Sequence, residues 1–407
     1  MTRGYSVKPL AWDDVSIGGI DLPKARLEMV WGFGSGLARR AGDPAGTVWA
    51  IGDRGPNFKV EVAVERYGLE ALARHAGESK AKVMPRLDIG PALAELRVEG
   101  DRVTLRRILP LTGEDGRALS GLPPPGSEQA RVEPALDLRG DVIAPDPSGA
   151  DTEGVVALPG GGFIVGDEYG PSLLRLDADA RVIERWVPEG CAAAFAGARY
   201  PVRDVLPAIA ARRRLNRGFE AMALSPDGAS LALAFQSPLA HPDAAAGKKA
   251  RHVRLWVLDL ATGAFTAEHL YPLEKPEAFR RDPDAKRDDI KVSELAWLAD
   301  GSLLVLERVS QSTKFYRVTL DAAAPASGID PSTTPSIEER SAAKEPLPEL
   351  VKTLVLDTDD APEIGADLEG MVVLGASELL LVNDNDFGCE GARTGFWRVR
   401  FDRAVFG

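Results

Sequence analysis

Transition-metal ligands are scarce in this 407-residue chain, which has two cysteines and four histidines. Cys191 and Cys389 lie far apart in no CxxC or zinc-knuckle spacing, and His75, His241, His252 and His269 form no HxH or HExxH pattern. A zinc or other transition-metal site is therefore not expected, and the cysteines read as two ordinary thiols. No stretch approaches the roughly 20 apolar residues that a membrane helix requires, so a soluble chain without a membrane span is expected. The opening Met1-Thr2-Arg3-Gly4-Tyr5-Ser6-Val7 has no signal-peptide apolar region; if that start is native, the expected location is cytoplasmic. Positive charge is outweighed, with 49 Lys and Arg against 61 Asp and Glu and a formal net charge of -12. That balance argues against a nucleic-acid partner and suits cations, or anions held through cations. The sequence also has no GxSxG elbow, Walker A or Rossmann fingerprint; the glycines of Gly32-Phe33-Gly34-Ser35-Gly36 have the wrong spacing for a dinucleotide loop.

What the chain has in quantity is turn formers, Gly 41 and Pro 30, and 44% hydrophobic residues. A chain of this length implies two domains or one repeat architecture, and self-similarity decides for the repeat. Each unit is an acid opening a strand, a Gly-type turn, and a second apolar strand that ends in polar residues. The clear copies span 151-171 (DTEG, VVALPGGGFIVG, DEYGP), 216-239 (NRGFE, AMALSPDGASLALAF, QSPL), 292-308 (VSE, LAWLADGSLLVL, ER) and 367-388 (DLEG, MVVLGASELLLVN, DND). A degenerate copy at 35-57 carries Ser35 in place of the opening acid. The turns PGGG, SPDG and ADG are hairpin chemistry, because Gly supplies the positive φ of tight connections. Further strand-like runs follow each hairpin, giving four strands per unit, the blade of a propeller. The expectation is an all-β chain in which residues 1-407 form one β-propeller of five to six four-stranded blades. A sixth blade could lie within Pro85 to Pro110, and a strand at Val15 to Leu22 or Leu27 to Trp31 could close the ring. Long insertions at about 57–83, 112–150, 188–215, 272–290 and 322–348 should cap one face; Val60 to Ala76 has helical spacing, and Ala322 to Pro348 reads as a mobile loop.

In such a blade the start of the first strand and the end of the second share one face. Glu153 with Asp167 and Glu168, Glu294 with Glu307, and Glu369 with Asp384 are 13 to 15 residues apart, the span of two short strands and a turn. Each pair is expected at the mouth of the channel, with Glu220 facing Gln236 and Ser35 facing Asp53. Crowded carboxylates raise one another's pKa, and a hard cation removes that penalty. Oxygen donors without His or Cys point to Ca2+, with Asp53, Glu153, Asp167, Glu168, Glu220, Glu294, Glu307, Glu369 and Asp384 as candidate ligands. Arg54, Arg217 and Arg308, with Asn216, stand beside these acids and suit an anionic ligand. The same acids could instead pair with those arginines and knit neighbouring blades together. Gly154, Gly218 and Gly370 read as packing or turn residues.

The motifs DTEGVVALPGGGFIVGDEYGP, NRGFEAMALSPDG, LLVLERVS and DLEGMVVL…LLLVNDNDFG resemble the bacterial phytase-like propeller family labelled "esterase-like activity of phytase", from about Ser35 to Arg400. The resemblance implies a β-propeller, phosphoester hydrolysis, calcium by analogy with propeller phytases, and export to the periplasm or beyond. The functional expectation is a calcium-dependent phosphoesterase, monomeric, acting on a small phosphorylated compound. In it Glu153, Glu220, Glu294 and Glu369 carry metal or water, and Arg54 and Arg308 hold phosphate. Two alternatives stand beside it: a non-catalytic propeller that binds a ligand or partner at its mouth, and a metal-assisted lactonase or carboxylesterase, which needs an apolar pocket.

Overall fold

The computed structural model describes residues 4–78, 80–126, 131–320 and 332–407. Its regular structure is overwhelmingly short strands, and the hairpins of the repeat are where the turn chemistry puts them. Gly161 and Gly162 take φ of 92° and 78° in the first full repeat, and Gly228 and Gly301 take 73° and 87° in the next two, conformations that a side chain would strain.

Among the described residues, five sheets contain four strands or more. The first comprises Gly36–Ala38, Thr47–Ile51, Ala92–Glu99 and Arg102–Pro110, so the region read as a possible extra blade completes this sheet instead. The second comprises Thr152–Ala157, Phe163–Asp167, Ser172–Leu176 and Val182–Pro188, with Val202–Leu206 added in parallel at its edge. The third is Phe219–Leu224, Ser230–Phe235, His252–Asp259 and Phe265–Pro272; the fourth is Lys291–Trp297, Ser302–Arg308, Thr313–Thr319 and Lys352–Asp357. In the fifth, Leu368–Gly375, Glu378–Asn383 and Phe396–Phe401 are joined by Tyr5–Leu10, with Tyr5 opposite Phe401 and Leu10 opposite Phe396. This last pairing differs from the sequence reading. Ser16–Asp21 and Arg26–Val30, expected to supply that strand, pair with each other. The true partner carries Pro9, which is tolerated because it sits on a sheet edge, where no ladder donor is needed.

The first strand of each sheet packs against the first strand of the next, and that of the fifth against that of the first. Thr152–Ala157 is buried along its whole length, as a strand flanked on both faces must be. The approach is close: a Cβ on Gly154 would lie 2.2 Å from the Glu220 carbonyl oxygen, so only glycine fits there. Toward one end these five strands line a small cavity of about 180 Å³ with Leu37, Val156, Met222, Leu295 and Val372. Between sheets the core is apolar and aromatic, as in the cluster of Phe219, Phe235 and Trp256, where the last two rings meet edge to face at 4.9 Å.

The insertion after the second strand is partly helical, as its spacing predicts, with an α-helix at Val60–Glu65 and a 3-10 turn at Glu70–His75. It packs on Leu27, Met29, Leu136 and Phe387. Residues 321–331 of the loop expected to be mobile lie outside the described residues. The remainder contains a helix, Ile337–Ala342, whose Glu338 forms a buried ion pair with Arg254 at 2.8 Å.

Candidate active site

One backbone irregularity recurs in four sheets and aims the acids. The register between first and second strands slips between Thr152 and Val155, Phe219 and Ala221, Val292 and Glu294, and Leu368 and Gly370. Each slip falls at Glu153, Glu220, Glu294 or Glu369 or the residue beside it. A β-bulge leaves a residue unpaired and re-aims its side chain, and at two of these slips, those at Glu153 and Glu369, the acid reaches a common space. That space is a cavity of about 370 Å³, to which the sheets bring Asp53, Glu153, Glu168, Glu369 and Asp384, together with Arg54, Asn216, Arg217 and Arg308.

The other expected ligands are placed differently. Glu220 and Glu294 are fully buried. Glu294 accepts the Leu37 and Leu295 amides at 3.1 Å, while Glu220 is hydrogen-bonded by Ser293. Asp167 is spoken for by the buried Arg185 guanidinium, the Ser172 hydroxyl at 2.8 Å and the Asp151 amide at 2.7 Å. Glu307 accepts from Tyr271 at 2.6 Å and from Lys352 at 2.7 Å. Both acids end a second strand, as the repeat requires, but their oxygens are committed within the protein rather than to the cavity.

The arginines divide in the same way. Arg54 gives its donors to Asp151 and, at 2.7 Å, to Asn216, with its guanidinium 4.9 Å from the Tyr169 ring. Arg308 donates to Ser293 at 2.9 Å, to the Val309 carbonyl at 3.0 Å, to Asp367 and to Glu369. Both were expected to hold phosphate, and both are instead tied to acids of the next sheet, as the ion-pairing alternative anticipated. Arg217 is the exception: its Nη1 is buried without a hydrogen-bond partner among the described residues.

Charge at the mouth is strongly perturbed. Burial, then the neighbouring charges of Asp151, Glu168 and Glu220, holds the Glu153 carboxyl well above its ordinary range. Asp384 is raised by burial and by Asp386 and Asp53. Burial raises Asp53 to about 6, and burial with Glu168 raises Glu220 to about 7. In the opposite sense, burial and the nearby Arg308 and Arg217 lower Lys291 to about 7. Asp53, Asp151 and Glu153 can each bring an oxygen within 4.8 Å of the others. This clustering of hard oxygen donors is suited to a cation such as Ca2+.

A family model described as phytase-like, esterase-like activity of phytase, matches residues 29–387. The chain belongs to the phytase-like family. A relative of this phytase-like protein, an uncharacterized secreted protein of Arthroderma benhamiae, is 25% identical over 320 residues, 71% of this chain and 61% of that protein. The chain thus spans less than two thirds of that relative's length. Among solved structures, the calcium-binding protein regucalcin of Agrobacterium tumefaciens is 14% identical at a TM-score of 0.36, covering 98% of this chain and all of that one. A gluconolactonase of Xanthomonas campestris is 9% identical at 0.33, with 97% of each chain covered.

Sequence reasoning missed several residues of this phytase-like site. Lys59, Lys80 and Lys82 reach the cavity from the insertion, and Glu390 from the segment after the last repeat hairpin. No repeat register marks them. Asp151 was legible as the opening acid of DTEG, yet its pairing with Arg54 follows only from the adjacency of two sheets.

The raised carboxyls predict a pH dependence. Asp53 and Glu220 bind protons more tightly folded than unfolded, where 3.8 and 4.5 are their ordinary values. Their contribution to stability is full below those values and is lost as pH rises through about 6 and about 7. Metal-depleted protein should therefore melt several degrees lower at pH 7.5 than at pH 5. A melting temperature that rises over that interval would contradict the placement of these acids.

Proposed function

We propose that this phytase-like protein is a calcium-dependent phosphoesterase acting on a small phosphorylated compound at the mouth of a closed five-bladed propeller. The cyclic packing of five first strands supports the closed ring. The observation that carries the functional reading is the coexistence, in one cavity, of buried carboxylates without hydrogen-bond partners and cations without ion pairs. Both oxygens of Glu168, which lines that cavity, lack hydrogen-bond partners among the described residues, an arrangement that costs several kcal/mol unless protons or a cation compensate.

Asp53, Asp151 and Glu153 would hold the calcium. Bound there, it would supply Lewis-acid charge to a phosphoryl oxygen. Arg217 and Lys291 are suited to hold the remaining phosphate oxygens. Glu168, which lines the cavity and whose carboxylate oxygens have no hydrogen-bond partner among the described residues, is suited to accept the proton of the attacking water. Ion pairing with Arg308 positions Glu369 at the rim.

The charged lining favours this reading over a lactonase or carboxylesterase. Among the described residues a serine hydrolase has one geometric candidate, Ser341, whose hydroxyl is 2.7 Å from His252 Nδ1 while Nε2 is 2.6 Å from Glu349. Ser341 is fully buried and accepts the Arg251 amide at 2.7 Å, so this relay fastens the helix Ile337–Ala342 to the third sheet. The proposal includes a monomer working in an exported location, in keeping with the secreted relative, on a small anionic ligand and not on nucleic acid.

The test is calorimetric titration of metal-depleted protein with Ca2+, followed by a panel of phosphoesters with and without calcium. Saturable calcium binding and calcium-dependent release of phosphate are expected. Binding of calcium without turnover on any ester would favour a ligand-binding propeller, and the absence of calcium binding would end the proposal.

A further inference from the structure

A second cavity, of about 540 Å³, adjoins the mouth and shares Lys80 and Arg217 with it. It is built by the turn Ala208–Arg212, the segment leading into the third sheet, and the helix Ala244–Lys249. Seven cationic side chains line it against two acids, Asp288 and Asp289, an unusual local excess in a chain of net charge -12. Two of the seven are engaged: Arg213 donates to the Tyr169 carbonyl and lies 3.6 Å from Glu133, and Arg214 pairs with Asp288. The side chains of Lys80, Arg131, Arg212, Arg217 and Lys248 make no ion pair among the described residues, and Arg217 Nη1 is buried without an acceptor. Guanidinium and ammonium groups crowded without acceptors repel one another, and a bound anion removes both the repulsion and the unsatisfied donor.

We infer that this basic cavity is a calcium-independent anion site that takes a second anionic group of the ligand whose reacting phosphate meets the acidic mouth. The deduction about the ligand rests on the phosphoesterase reading; the anion site itself does not. Arg217, on the boundary, links the two. Phosphate and carboxylate share the chemistry that such a site recognises, planar or tetrahedral oxyanions against forked donors.

The test uses metal-depleted full-length protein titrated with inorganic pyrophosphate and, separately, with citrate. Saturable binding of at least one is expected; the one preferred identifies the second group as phosphate or carboxylate. Arg212→Glu and Lys248→Glu, both on the exposed rim, should each weaken it roughly tenfold, the scale of one lost charge-assisted hydrogen bond. Their melting temperatures and calcium titrations should match the parent protein. Failure of both anions to bind, or binding indifferent to both variants, overturns the proposal. Intact anion binding without calcium binding would sink the phosphoesterase reading while leaving this site standing.

Discussion

Glu153→Gln should abolish calcium-induced stabilisation and lower phosphoester hydrolysis by about 10²- to 10⁴-fold, the range seen when a positioned acid or base is removed. The same change should raise the melting temperature of the metal-depleted protein. The side chain is buried among Asp151, Glu168 and Glu220, whose charges oppose its ionisation, and an amide of equal size relieves that repulsion. Calcium at a thousand times its Kd would stabilise the parent by about 4 kcal/mol; the variant should gain almost nothing. Opposite signs in the two conditions distinguish a functional acid from a structural one, because a side chain that merely packs would be neutral or destabilising in both. A variant as active as the parent, or equally stabilised by calcium, would exclude Glu153 from the site.

A large effect on stability is expected at the other kind of acid. Arg185 and Asp167 are both fully buried, and the arginine also donates to the Gly149 carbonyl at 2.8 Å and to Tyr200 at 3.1 Å. Arg185→Met leaves Asp167 charged and unpaired, for which a loss of about 3–5 kcal/mol is expected in urea unfolding. Adding Asp167→Asn should restore a good part of it, because the cost lies in the orphaned charge and not in the missing bond. A single-variant loss under about 1 kcal/mol would show that the pair is not held as described.

Glycine-rich turns and the opening acids made the hairpins legible, because a tight turn and a fixed strand length are local requirements that recur in the sequence. Glu153, Glu168, Glu369 and Asp384 came together at the cavity because each sheet repeats the same geometry. Asp167 and Glu307 occupy the repeat positions but were diverted by Arg185 and by Lys352 and Tyr271, partners supplied by outer strands and neighbouring elements whose proximity no spacing encodes. The lysines were illegible for a related reason: they lie on an insertion, and only its packing on Leu27, Met29 and Phe387 carries it to the mouth. Tyr5–Leu10 carries one proline, a residue disqualifying in a central strand and harmless on an edge.

Tyr5 and Phe401 are partners across 396 intervening steps of chain, 401 minus 5. Holding such distant points together costs about 5 kcal/mol of loop entropy by the (3/2)RT ln n scaling, and nothing offsets it until Phe396–Phe401 exists. During translation the first strand must therefore wait, solvated and unpaired, while four sheets form behind it. The fifth sheet gains its edge strand only once Phe396–Phe401 is available to pair.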